Sequence, residues 1–192
     1  MYNYDNYKRI FDIFFSLILI LLFSPIIILL SFIIKLTSRG PIIYFSKRVG
    51  KNSQIFKMPK FRSMLLQTPQ VATHLLRDSN MYITKVGKIL RKLSLDEIPQ
   101  LFSVLKGDMS IVGPRPALFN QKNLIALRNS LNIDSIIPGI TGWAQVNGRD
   151  SMSIEKKTEL DKYYLLNRSF KLDFLIILLT FIKVLKFSNI KH

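Results

Sequence analysis

The sequence has no cysteine, one tryptophan, and 12 acidic residues against 28 Lys plus Arg in 192 residues. Without cysteine there is no disulfide framework, no thiolate metal site and no thiol nucleophile, and a reducing compartment is the simpler expectation. The shortage of acidic residues leaves a formal net charge of +16. A chain this basic meets something anionic: nucleic acid, a phospholipid surface or a phosphorylated substrate. What it has in abundance is apolar side chains, 48% of the total, gathered toward the two ends. That is unusual for a freely soluble protein, and the length sets one modest domain as the expectation.

The run from Ile10 to Ile34 is interrupted only by Asp12, Ser16, Ser24, Pro25 and Ser31. As a straight helix it extends roughly 37 Å at about 1.5 Å per residue, beyond the ~30 Å of a hydrocarbon layer, so it touches lipid. It is too long for a signal peptide, and no small-x-small site follows it. Hydropathy alone reads as one spanning helix, but two features oppose that. Pro25 falls near the middle and predicts a kink. Both flanks are basic, with Lys8 and Arg9 before the run and Lys35, Arg39, Lys47, Arg48 and Lys51 after it. Positive flanks stay cytoplasmic, so a helix that enters, breaks at Ser24-Pro25 and returns satisfies both. Asp12 is then expected at the interface, paired with Arg9 three residues earlier.

Ser38-Arg39-Gly40-Pro41 is turn chemistry and divides a membrane segment, residues 1–37, from a globular part, residues 38–192. Residues 42–45 and 54–58 read as the strands of a hairpin around Gly50-Lys51-Asn52-Ser53. Lys57, Lys60 and Arg62 then alternate with apolar residues, as a solvated basic edge or an anion site. Residues 65–80 have little periodicity and read as an excursion, with His74 a surface residue. Ile83, Val86, Ile89, Leu90 and Leu93 have helical spacing, with basic residues between them that suit a membrane surface. Ile98, Leu101, Phe102 and Leu105 signal a second helix, ended by Lys106-Gly107.

Between these helices stands Ser94-Leu95-Asp96-Glu97. Ser followed three residues later by Glu is a capping box, in which both side chains only satisfy free amides. Pro99 fits only a first turn and can move the cap to Leu95 or Asp96. In either register Asp96 lies at the positive end of a helix, where an ionised carboxylate is favoured and a phosphate docks. Such a carboxylate is also a possible phosphoryl acceptor. In Gly113-Pro114-Arg115-Pro116 the prolines hold Arg115 extended, which suits bidentate phosphate recognition or a plain structural turn. Pro138-Gly139 through Trp143 and Asn147-Gly148-Arg149 read as turns, with Trp143 an interfacial anchor or a stacking residue. Residues 155–166 read as a polar helix, and residues 172–185 as an apolar helix too short to span.

Together these motifs resemble the monotopic phosphoglycosyl transferases, bacterial sugar transferases that start capsule, exopolysaccharide, O-antigen and glycoconjugate pathways. The resemblance is carried by Lys8-Arg9-Ile10-Phe11-Asp12, Ser24-Pro25, Arg48-Val49-Gly50, Lys60-Phe61-Arg62-Ser63-Met64, Ser94-Leu95-Asp96-Glu97, Gly107-Asp108-Met109-Ser110, Gly113-Pro114-Arg115-Pro116 and residues 138–146. Asp161, Tyr163-Tyr164 and Leu172-Asp173 extend it, in the family's order along nearly the whole chain. The size resembles minimal members without added membrane helices or a nucleotide-binding-like domain. Pro59, Ser46, Ser53 and Ser103 depart from the usual residues and bear on loop geometry and sugar choice.

The resemblance implies an α+β, mostly helical fold: a re-entrant membrane helix, a small cytosolic part with a short hairpin, and interfacial amphipathic helices. It implies Mg²⁺, held at Asp96, and a bacterial inner-membrane site facing the cytoplasm. Asp96 then attacks the sugar-bearing phosphate of a UDP-sugar, UMP leaves, and polyprenyl (undecaprenyl) phosphate takes the phosphosugar. Glu97 is the adjoining acid of the catalytic pair. Arg115, with Lys60, Arg62 and Arg91, is expected at substrate phosphate, and Asp173, Asp161 and Tyr164 in support. A homo-oligomer or downstream glycosyltransferases are compatible partners, and nucleic acid is not expected, because no readout motif is present. The readings outside this class are a nucleic-acid binder and a non-enzymatic scaffold on anionic lipid.

Overall fold

The computed structural model describes residues 2–69, 79–148 and 152–185, and within it the N-terminal apolar run forms one helix, α1 (Tyr2–Thr37). Pro25 lies inside this helix without ending it. The reason is local. Proline offers no N–H to the carbonyl of Leu21, four residues back, and the Ser24 hydroxyl donates to that carbonyl instead, at 2.8 Å. Ser24 and Pro25, expected as a break, are thus accommodated within helical backbone.

One face of α1 carries Lys8, Asp12 and Ser16 at four-residue spacing, all buried, and farther along Leu30 and Ile34, also buried. Phe14, Leu21, Leu22, Ile28, Leu29 and Phe32 are exposed. The polar stripe faces protein. Asp12 accepts from the Ile111 amide at 3.1 Å, whereas Arg9 donates to the carbonyls of Val104 and Leu105, at 2.5 and 2.7 Å. The Arg9–Asp12 pairing expected from spacing is therefore replaced: a guanidinium satisfies the bare carbonyls at a helix end better than it serves a carboxylate already bonded to an amide. At the other end Leu30 and Ile34 pack with Phe61 and Leu90. Both ends of α1 are fastened to the same globular part.

That part begins with an antiparallel hairpin, β1 (Ile43–Val49) and β2 (Ile55–Phe61), with Ile43 opposite Phe61 and Val49 opposite Ile55. The turn lies where expected and the strands run longer than expected. After α2 (Ser79–Tyr82) comes α3 (Lys85–Lys92), capped by the Thr84 hydroxyl, which accepts from the Gly87 amide at 2.9 Å. A 3-10 turn over Leu95–Glu97 leads to α4 (Gln100–Lys106). Part of the 65–80 excursion, His74 included, and Arg149 lie outside the described residues.

Two short strands lie within or just before stretches read as turns from the sequence. β3 (Ser110–Val112) and β4 (Gly139–Thr141) pair in parallel, Ser110 with Gly139 and Val112 with Thr141. The backbones approach closely beside this pair. A Cβ added to Gly139 would lie 2.1 Å from the Gly113 nitrogen, and one on Gly142 2.1 Å from the Gly113 carbonyl oxygen, so glycine is required there by space. α5 (Lys122–Ser130), which the sequence reading lacked, precedes β4, and α6 (Trp143–Asn147), α7 (Ile154–Asn167) and α8 (Phe170–Leu185) follow it. The core gathers Val104, Val112, Tyr164 and Ile176 from four elements and Met109 from the junction of α4 and β3. The fold is mostly helical with short strands.

Asp173 ties three helices together. Its carboxylate accepts from Lys8 at 2.7 Å, from the Tyr4 hydroxyl at 2.8 Å and from the Tyr164 hydroxyl at 2.7 Å. Burial, with the Asp173 charge second, pushes the Tyr164 pKa far up and keeps that hydroxyl a donor. Asp173 and Tyr164, expected as supporting residues, thus join α1, α7 and α8.

Candidate active site

The acidic pair sits in the turn before α4. Ser94 is in the left-handed region, φ +56°, and its side chain makes no capping bond, so the capping-box alternative is not realised. Pro99 precedes the first residue of α4, Gln100, and Asp96 and Glu97 lie ahead of the helix instead of in its first turn. A non-glycine residue in this region costs on the order of 1 kcal/mol. Here it reverses the chain sharply between α3 and the acidic turn. Cations, more than the helix dipole, set the electrostatics of the pair.

Glu97 is pinned. Lys60 Nζ, from β2, donates to Oε1 at 2.8 Å. Arg115 Nη2 donates to the same oxygen at 2.6 Å, and Nη1 to Oε2 at 3.3 Å. Burial alone raises the Glu97 pKa, but the Arg115 guanidinium and the Lys60 ammonium outweigh it and hold the carboxyl well below the usual range. Asp96 is different. It is buried, and its carboxylate accepts no hydrogen bond among the described residues. Its pKa is raised above the ordinary carboxylate value, by burial first and by the Glu97 charge, with Lys60, Arg91 and Arg115 offsetting only part of this. One carboxylate is thus fixed as a counter-ion while its neighbour has no hydrogen bond from the described residues and lies among three cations.

Arg115 is positioned by its backbone as much as by its fork. Its carbonyl accepts from Arg128 Nη1 at 2.7 Å. Arg128, buried in α5, is in turn held by Asp161 of α7, with Nε and Nη2 at 3.1 and 2.6 Å from one carboxylate oxygen. On the other side Arg48 Nη1 donates to the Pro116 carbonyl at 3.1 Å, and the Val49 amide to Ala117 at 2.9 Å. Asp161 is thus linked to the Arg115 backbone through Arg128. The sequence reading missed Arg128; its signal is the four-residue spacing from Leu124, which places both on the buried face of α5.

Arg128→Lys keeps a cation for Asp161 but cannot bond both Asp161 and the Arg115 carbonyl. The expected result is a loss of about 1 to 3 kcal/mol in kcat/KM, with KM rising and the protein still folded. Unchanged kinetics with a lowered Tm would restrict Arg128 to structure.

Other expected site residues go elsewhere. Arg62 is not at the acidic pair; it lies at the end of α1, donating to the Ser38 carbonyl at 2.8 Å. Trp143 stacks on Tyr163, centroids 5.7 Å apart, as a packing residue between α6 and α7. No group of three or more His, Asp or Glu that could hold a metal occurs among the described residues. Two adjacent carboxylates, one of them without a hydrogen bond from the described residues, do fit Mg²⁺, which takes one or two protein carboxylates and completes its shell with substrate phosphates and water.

Residues 3–187 match the model of a family described as bacterial sugar transferase. The chain is 41% identical over 185 residues to the uncharacterized sugar transferase EpsL of Bacillus subtilis, covering 96% of this chain and 90% of that one. It is 40% identical over 185 residues to the UDP-N-acetylgalactosamine-undecaprenyl-phosphate N-acetylgalactosaminephosphotransferase of Aeromonas hydrophila, covering 92% of this chain and 43% of that protein. It is 39% identical over 184 residues to the UDP-glucose:undecaprenyl-phosphate glucose-1-phosphate transferase of Klebsiella pneumoniae, covering 92% and 40%. The chain thus spans less than half the length of these two relatives.

Proposed function

The chain is an enzyme of the bacterial sugar transferase family, and we propose that it moves a phosphosugar from a UDP-sugar to polyprenyl phosphate, releasing UMP, as the first membrane step of a surface polysaccharide or glycoconjugate pathway. The names of its Aeromonas and Klebsiella relatives support the donor and acceptor classes. The observation that carries the chemistry is the asymmetry of the acidic pair: Glu97 bonded to Lys60 and Arg115, and Asp96 beside them with no hydrogen bond from the described residues.

In the first step an Asp96 carboxylate oxygen attacks the sugar-bearing phosphorus. A P–O bond to Asp96 forms as the P–O bond to UMP breaks, and UMP leaves with the electron pair. Lys60, Arg91 and Arg115 face the charge that develops on the phosphoryl oxygens. Asp96 and Glu97 are the residues present to hold Mg²⁺, which when bound neutralises diphosphate charge. In the second step a phosphate oxygen of the lipid attacks the same phosphorus and Asp96 is released. A panel of UDP-sugars with polyprenyl phosphate and Mg²⁺, scored by UMP, tests the reaction. UMP formed with at least one donor is expected, and none from any donor would overturn it.

We also propose that α1 enters and leaves the membrane on the cytoplasmic side. Arg9 bonds α4 near one end of α1, and Ile34 packs with Phe61 and Leu90 near the other. A helix crossing ~30 Å of hydrocarbon would put one of these ends out of reach of a globular part on one side. Tyr7 and Leu36 are exposed, and the chain has no cysteine of its own. Tyr7→Cys and Leu36→Cys should both resist an impermeant thiol reagent applied to intact cells. Labelling of one of them from outside would establish a span.

A further inference from the structure

We propose that the pocket where α1 gives way to the hairpin binds the phosphate group of an anionic membrane phospholipid. It is a cavity of about 360 Å³ whose lining includes Thr37, Ser38, Arg39, Arg62, Leu66 and Thr84, with no acidic side chain among the described residues. Arg62 is the telling residue. It is only 4% exposed. Nη2 donates to the carbonyl and the hydroxyl of Ser38, whereas Nη1 is buried with no partner among the described residues. Burial presses the Arg62 pKa below the ordinary guanidinium value. An unmet donor on a buried cation is costly, and an anionic oxygen is its complement.

Gly40 leaves space for this head. Its φ is +118°, and a Cβ there would lie 2.2 Å from Arg62 Nη1 and 3.1 Å from Leu66. The second cation, Arg39, is exposed at the rim. Leu36 and Leu66 are exposed by 84% and 65%, so an apolar surface adjoins the basic pocket, as acyl chains beside a headgroup require. A free phosphate has no use for that surface. The ammonium of phosphatidylethanolamine finds no carboxylate among the described lining residues, which favours phosphatidylglycerol. The pocket is separate from the acidic pair: Thr84 precedes α3, whereas Arg91, near its far end about 10 Å on, faces Asp96.

The full chain is placed in nanodiscs of equal phosphatidylglycerol and phosphatidylethanolamine, released into detergent and read by native mass spectrometry. One retained phosphatidylglycerol per chain is expected. Arg62→Gln should lower its retention by about tenfold, and Arg39→Gln, at an exposed position that leaves folding intact, severalfold. A parallel arm offers millimolar glycerol phosphate without lipid and should give no adduct. Equal retention of both lipids, or retention unchanged in Arg39→Gln and in folded Arg62→Gln, would overturn the proposal. So would a glycerol phosphate adduct, which would make this a soluble-phosphate site, or displacement of phosphatidylglycerol by equimolar polyprenyl phosphate, which would make it the acceptor's berth.

Discussion

Asp96→Asn is expected to lower UMP release by on the order of 10³-fold or more, with the folded protein and its membrane association preserved. Asn has the size of Asp but no anionic oxygen to attack phosphorus. Since the Asp96 carboxylate accepts no hydrogen bond from the described residues, its loss breaks none. Glu97 also remains as the partner of Lys60 and Arg115, so the neighbouring cations are not left unpaired. Structure and catalysis therefore separate at this position. Circular dichroism and Tm should match the parent while turnover is gone, and a folded Asp96→Asn retaining more than about a tenth of parental activity would remove it as nucleophile.

Glu97→Gln is expected to cost about 10²-fold, on the scale of losing one charged partner in a preorganised electrostatic site. Its consequence is opposite in kind. Glu97 is bonded to two cations from different elements, so the amide frees Lys60 and Arg115 to shift from where the phosphoryl oxygens lie. The defect should be non-additive with Arg115→Lys, because both changes act on one bonded unit. In single-turnover experiments without lipid acceptor, adduct should still form, slowly. Fully additive losses would mean that Glu97 acts independently of Arg115.

These two residues were legible because adjacent carboxylates are conspicuous in so basic a chain. Their environment was not. The capping-box spacing fits a helix start, but Ser94 in the left-handed region and Pro99 place the helix after the pair. Apolar spacing found α3 and α4 but did not sort their faces: Ile89 and Phe102, both in the apolar pattern, are 60% and 49% exposed, whereas Gly87 and Ser103 are buried. In a protein with both a core and an apolar exterior, hydrophobic period alone does not say which surface a residue serves. β3 and β4 are three residues each, too short to show alternation, and glycine beside them reads as turn. Asp161 was found as a residue but not as a contact, because its partner Arg128 is 33 positions away in sequence.

The central claim, a covalent phosphosugar on Asp96, is tested most directly by intact-protein mass after mixing with Mg²⁺ and the cognate UDP-sugar in the absence of lipid. The account predicts a gain equal to one phosphosugar, absent in Asp96→Asn and discharged by polyprenyl phosphate. UMP release only when lipid acceptor is present, with no adduct trapped under any condition, would contradict it and leave a direct transfer between donor and acceptor.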